Sequence, residues 1–291
     1  MFAGTFTALI TPFRNQLFDE SAFSRQIQTQ IDAGITGIIP VGTTGESPTL
    51  SHEEHRRVIE AAITLGHAGG LKVIAGTGSN STAEAIELTS HAKASGADGA
   101  LLVNPYYNKP TQEGLYRHFT AIAQQVDIPI VLYNIPSRTG ISMTVATMKR
   151  LVSNCKNIVA VKDAAGNLDL TSEAIGAGLT VLSGDDSLTL PMMSVGARGV
   201  VSVASNIAPQ MVVAMVKYAA AGDFASARSI HHQLFALCRA LFVETNPIPI
   251  KAAMQMVGRD SGELRLPLCE ISDANRLILR DALVAAGLSP T

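Results

Sequence analysis

Residues 158–163 read Ile-Val-Ala-Val-Lys-Asp: four apolar residues run straight into a lysine and an aspartate. A strand with one wet face alternates apolar and polar residues. An unbroken apolar run belongs instead to a strand covered on both faces, as in a parallel sheet clothed by helices. Similar runs lie at Thr5–Ile10, Gly37–Val41, Lys72–Ala75, Ala100–Val103, Ile130–Tyr133, Thr180–Leu182 and Gly199–Val203. Between them stand segments with helix signals. Ser51-His-Glu-Glu54 and Ser81-Thr-Ala-Glu84 fit the capping box, an N-cap hydroxyl followed three residues on by a Glu. Gly34, Gly96 and Gly178 follow helical stretches where C-caps are expected. This alternation predicts an α/β chain closed into a (β/α)8 TIM barrel. The competing open, doubly wound sheet would carry a phosphate or dinucleotide loop after its first strand, and Gly4–Arg14 has none.

Strand signals stop after Asn206. In Asp223–Glu244 the residues Ala227, Ile230, Leu234, Leu237, Cys238 and Leu241 recur at helical spacing and form one apolar stripe. The expected organisation is a barrel over residues 1–224 with a C-terminal helical extension, 225–291, packed on it.

Composition narrows the function. Hydrophobic residues make up 47% of the 291 and charged ones 16%, which fits a large buried core and excludes a disordered chain. A net charge of −2 gives no general attraction to nucleic acid or anionic membranes. No apolar run approaches the ~18–20 residues that cross a bilayer, and the start of the chain lacks signal-peptide features, so a cytoplasmic protein is expected. Cys155, Cys238 and Cys269 are too few and scattered for a disulfide framework or a zinc site. They are expected to be buried small hydrophobes.

In such barrels the chemistry sits at the C-terminal ends of strands and in the loops that follow. Lys162 falls there. Facing the barrel mouth, a low dielectric would favour the neutral amine that attacks carbonyls; facing the rim, it would simply pair with Asp163. Tyr133-Asn-Ile-Pro-Ser-Arg-Thr-Gly140 offers a strand-end tyrosine for proton transfer and, in Arg138, a planar fork for a carboxylate. A core tyrosine with a solvated turn is the plainer reading. Gly42-Thr-Thr-Gly-Glu-Ser47 supplies hydroxyl and amide donors for a carboxylate, or is an ordinary turn; it lacks the Gly-Lys-Ser/Thr of a phosphate loop. Asn104-Pro-Tyr-Tyr-Asn-Lys-Pro110 puts paired tyrosines in a loop, suggesting a site or an interface. His52 and His55 share a helix, but no third ligand stands at useful spacing, so no metal site is expected.

In this order Gly42–Ser47, Tyr106-Tyr107, Tyr133–Pro136 and Lys162 resemble the signatures of the pyruvate-dependent class I aldolases, the family of dihydrodipicolinate synthases and N-acetylneuraminate lyases. Ser137-Arg-Thr-Gly140 is similar to the former branch, and the likeness runs from Gly4 to Lys251. The resemblance implies a Schiff base between Lys162 and pyruvate, attack of the enamine on aspartate semialdehyde, and no cofactor. It implies that Tyr133 is the acid/base, relayed through Thr43 to a Tyr107 that crosses a dimer interface. Thr44 would hold the pyruvate carboxylate, Arg138 the semialdehyde carboxylate, and the backbone of Gly184 and Val201 would line the site. It further implies feedback inhibition by lysine at Ser47, Pro48, His52, His55, Asn80, Glu84 and Tyr106, and a homotetramer built as two tight dimers. Another aldolase or lyase of the same family, acting on a sugar acid, is the near alternative, which Arg138 disfavours. A non-enzymatic ligand-binding barrel is the distant one, with no use for a Schiff-base lysine.

Overall fold

Eight parallel strands close into a barrel in the computed structural model, which describes residues 2–290. Met1 and Thr291, the outer limits of the two expected segments, lie outside the described residues. The strands are β1 Gly4–Ala8, β2 Gly37–Ile39, β3 Lys72–Gly76, β4 Gly99–Val103, β5 Ile130–Asn134, β6 Ile158–Asp163, β7 Val181–Ser183 and β8 Gly199–Ser202. Each pairs with its neighbours in chain order, and β1 closes the ring against β8. All eight expected strands are present, with shifted ends. β1 stops at Ala8 and not Ile10. β2 stops at Ile39, because Pro40 has no amide to donate and Val41 turns into a left-handed conformation at φ 50°. β6 runs on through Lys162 to Asp163.

Helices α1 Glu20–Asp32, α2 His52–Ala68, α3 Thr82–Ala94, α4 Gln112–Gln125, α5 Val145–Asn154, α6 Leu168–Gly176, α7 Thr189–Ser194 and α8 Pro209–Ala220 clothe the barrel. Gly34, Gly96 and Gly178 follow the C-caps of α1, α3 and α6 with positive φ, as expected. Ser51 and Glu54 form a complete capping box on α2. The second expected box is only half made. Ser81 caps α3, but the Glu84 carboxylate turns away to Ser79 and His52.

Side chains alternate across the strands. Phe6, Ile39, Ile74, Leu101, Val131, Ala160, Leu182 and Val201 fill the barrel interior, while Leu102, Leu132, Val161 and Val200 face the helices. The outer apolar layer continues without a break into α9 Phe224–Ala240, α10 Ile248–Met256 and α11 Asp273–Ala285. Cys155 and Cys238 are buried as expected; Cys269 is exposed, because it lies in the irregular segment between α10 and α11.

Candidate active site

At the C-terminal ends of β5 and β6 the register sets Tyr133 opposite Lys162 and Asn134 opposite Asp163. Neighbours in register on parallel strands point the same way, so Tyr133 and Lys162 share the barrel interior. Lys162 is 6% exposed, and its Nζ lies 3.9 Å from the centroid of the Tyr133 ring. Among the described residues Nζ has no hydrogen bond or ion pair. The pairing with Asp163 does not form. That carboxylate accepts the Ala165 amide at 3.1 Å and the Thr171 hydroxyl at 3.0 Å, and burial pushes its pKa up. Room for the lysine is made by Gly184, where a Cβ would stand 3.0 Å from Lys162 Cε and 2.8 Å from Ala164 Cβ. Val201 is buried among the residues of the barrel interior.

A cavity of about 310 Å³ opens above, walled by Thr43, Tyr133, Arg138 and Asn246 among others. Tyr133 links it to Lys162, since one ring borders both. Thr44 is buried behind Thr43, and its hydroxyl accepts a hydrogen bond from Asn246 Nδ2 at 3.1 Å. Arg138 is exposed and donates to the Asn246 carbonyl at 2.9 Å. Asn246 therefore touches both expected carboxylate anchors. Its Oδ1 is buried and has no partner among the described residues. Sequence reading passed over this asparagine, and its place after a helix gives no local sign of a site.

Tyr107 is not brought to this cavity. It is 90% exposed, with φ 69°, in a loop held by hydrogen bonds from Asn80 Nδ2 to the Tyr106 carbonyl and from Asn108 Nδ2 to the Asn80 carbonyl. The expected regulatory residues gather in two adjoining groups. Ser47, Pro48 and Tyr106 border the cavity. Glu84 lies 2.8 Å from His52 Nε2 and accepts from Ser79, and these contacts, Ser79 foremost, hold its carboxyl below the usual range. His55 is buried close by. Among the described residues neither ring nitrogen has a hydrogen-bond partner, although the Gly76 carbonyl faces the ring, and burial lowers its pKa to about 4.

The model of the dihydrodipicolinate synthetase family matches residues 1–286. The chain belongs to this family. A 4-hydroxy-tetrahydrodipicolinate synthase of Methanocaldococcus jannaschii is 53% identical over 289 residues, covering 99% of this chain and 100% of that one. The crystal structure of the dihydrodipicolinate synthase of Aquifex aeolicus superposes with a TM-score of 0.97 at 52% identity over both whole chains. A family structure from Cyanidioschyzon merolae, with lysine bound, gives a TM-score of 0.95 at 43% identity and 99% coverage of each. Among the described residues no group of three His, Cys, Asp or Glu side chains is arranged to hold a metal, and no helix is long and apolar enough to cross a membrane.

Proposed function

We propose that this chain is a lyase that condenses pyruvate with L-aspartate 4-semialdehyde to give 4-hydroxy-tetrahydrodipicolinate, the first committed step of lysine biosynthesis through diaminopimelate. Its family membership supports the reaction class. The observation that carries the mechanism is Lys162, buried at a strand end without a polar partner among the described residues and in contact with the Tyr133 ring.

The neutral Lys162 amine attacks the ketone carbon of pyruvate, and loss of water leaves a protonated Schiff base. Removal of a methyl proton gives the enamine, whose carbon attacks the aldehyde; the new C–C bond leaves an alkoxide that takes up a proton. The amino group of the bound chain then displaces Lys162 and closes the ring, so no metal or organic cofactor enters the scheme. Tyr133 moves the protons, through the Thr43 hydroxyl, to a Tyr107 supplied by a second copy. Thr44 holds the pyruvate carboxylate, Arg138 holds that of the semialdehyde, and backbone at Gly184 and Val201 completes the pocket. Residues 1–224 form the catalytic barrel and 225–291 the extension packed on it. The working form is a cytoplasmic homotetramer of two tight dimers. Lysine inhibits it at Ser47, Pro48, His52, His55, Asn80, Glu84 and Tyr106, a reading supported by the lysine-bound relative.

The test is borohydride reduction in the presence of pyruvate, with peptide mass spectrometry to locate the adduct and an assay of condensation. A pyruvate-derived mass on Lys162 together with turnover of the semialdehyde is expected. An unmodified Lys162, or an adduct elsewhere, overturns the scheme.

A further inference from the structure

The turn from Val41 to Ser47 carries Thr43 and Thr44, yet its backbone is not one that relaxes into place by itself. Val41 and Glu46 hold φ of 50° and 53°, the left-handed region that β-branched and long side chains avoid. Such a conformation persists only where surrounding contacts over-determine it. Those contacts come from far along the chain. The Glu46 carboxylate is fully buried and receives Lys251 Nζ, itself fully buried, at 2.6 Å. The same ammonium donates to the Thr11 carbonyl at 3.0 Å, and the Thr11 hydroxyl donates to the Gly45 carbonyl at 2.7 Å. The Arg265 amide donates to the other Glu46 oxygen at 3.2 Å. Phe13 seals this cluster, with Lys251 Nζ 4.2 Å and the Arg265 guanidinium 4.1 Å from its ring centroid. Inside the turn, the Glu46 amide returns to the Thr43 carbonyl at 3.2 Å, so a shift of Glu46 is passed to Thr43.

We propose that Lys251, Glu46 and Thr11 form a positioning knot that fixes the Thr43-Thr44 turn at the mouth of the barrel; Glu46 borders the cavity, but its carboxylate and the Lys251 ammonium are fully buried and do not touch substrate. The inference rests on the reading of Thr43 and Thr44 as substrate groups. A buried ion pair is a costly way merely to stabilise a fold, because well-packed neutral residues of the same shape do as well or better. Its directed hydrogen bonds do what neutral packing cannot, which is to hold a strained turn in one geometry.

The experiment compares wild type, Lys251→Met, Glu46→Gln and the double variant Glu46→Gln/Lys251→Met. Tm, the half-saturation for borohydride trapping of pyruvate on Lys162, and kcat are measured for each. Each single change strands one buried charge and lowers Tm. The double change removes both charges and recovers most of the Tm. Pyruvate half-saturation in the double variant nevertheless stays raised by roughly tenfold or more, because the turn is no longer pinned. A double variant with wild-type half-saturation and kcat overturns the proposal and leaves the pair a structural one. Should the double variant not fold, Thr11→Val removes only the hydroxyl that holds Gly45: raised half-saturation in the folded variant supports the knot, and unchanged half-saturation in the folded variant overturns it. If the wild type itself traps no pyruvate on Lys162, the functional reading falls, and this inference with it.

Discussion

At Gly184 one added carbon would stand against the flexible stem of Lys162 on one side and the fixed Cβ of Ala164 on the other. Neither Ala164 nor the Asp163 carbonyl, 3.1 Å away, can give way by a rotamer change, so the added carbon displaces Lys162 and the local backbone together. Gly184→Ala is therefore expected to lower Tm and, in the folded protein, to slow pyruvate trapping on Lys162 by about a hundredfold, the order of cost of misplacing a reacting atom by about an ångström. Trapping at the wild-type rate would mean that Lys162 has slack the packing does not suggest. Lys162 was legible in the sequence because an apolar run leads into it and a charged residue there must end up somewhere unusual. Glu46 and Lys251 were not legible as partners. They stand 205 residues apart, and residue types along a chain say which groups are charged without saying which ones meet. Asp186 is similar. It is buried and accepts the Val203 and Ala204 amides, with burial raising its pKa, and nothing in its local sequence pointed to those partners.

On the elements, period and punctuation told most of the story. The eight apolar runs became eight strands, and the glycines ended the helices they follow. The run at 158–161 could not show which residues face inward. Val159 stands at a register shift between β5 and β6, which resets the alternation so that Ala160 and Lys162 point into the barrel. Helices α2 and α4 each bury a histidine, His55 and His118, and burial lowers each pKa from 6.5 to about 4. On acidification the unfolded chain takes up these protons first. Their contribution to stability is thus complete above about pH 6.5 and drains away as pH falls toward 4, by about 3 kcal/mol apiece. Thermal unfolding between pH 7 and 4 should show this fall, and His118→Phe should flatten it. An equal slope in wild type and variant would mean that the folded protein takes up the His118 proton as readily as the unfolded chain, so that burial does not lower its pKa.

For the whole molecule, the fold class was readable from alternation alone, while the assembly was not, because a single sequence carries no record of which surfaces meet. What the structure adds is a tyrosine, Tyr107, that is 90% exposed on a strained loop and absent from the cavity of its own chain. On the proposed mechanism it serves a second copy. Lys162→Ala and Tyr107→Phe proteins, each nearly inactive alone, should then regain roughly a quarter of wild-type activity when dissociated together and reassociated at random, because half of the mixed dimers' sites are whole. No recovery would place Tyr107 outside the relay. The consequence reaches into genetics. Two defective alleles of this gene, one at each residue, would rescue each other in a cell that carries both, whereas two alleles at the same residue would not. The pattern of complementation would map the boundary between subunits without a crystal.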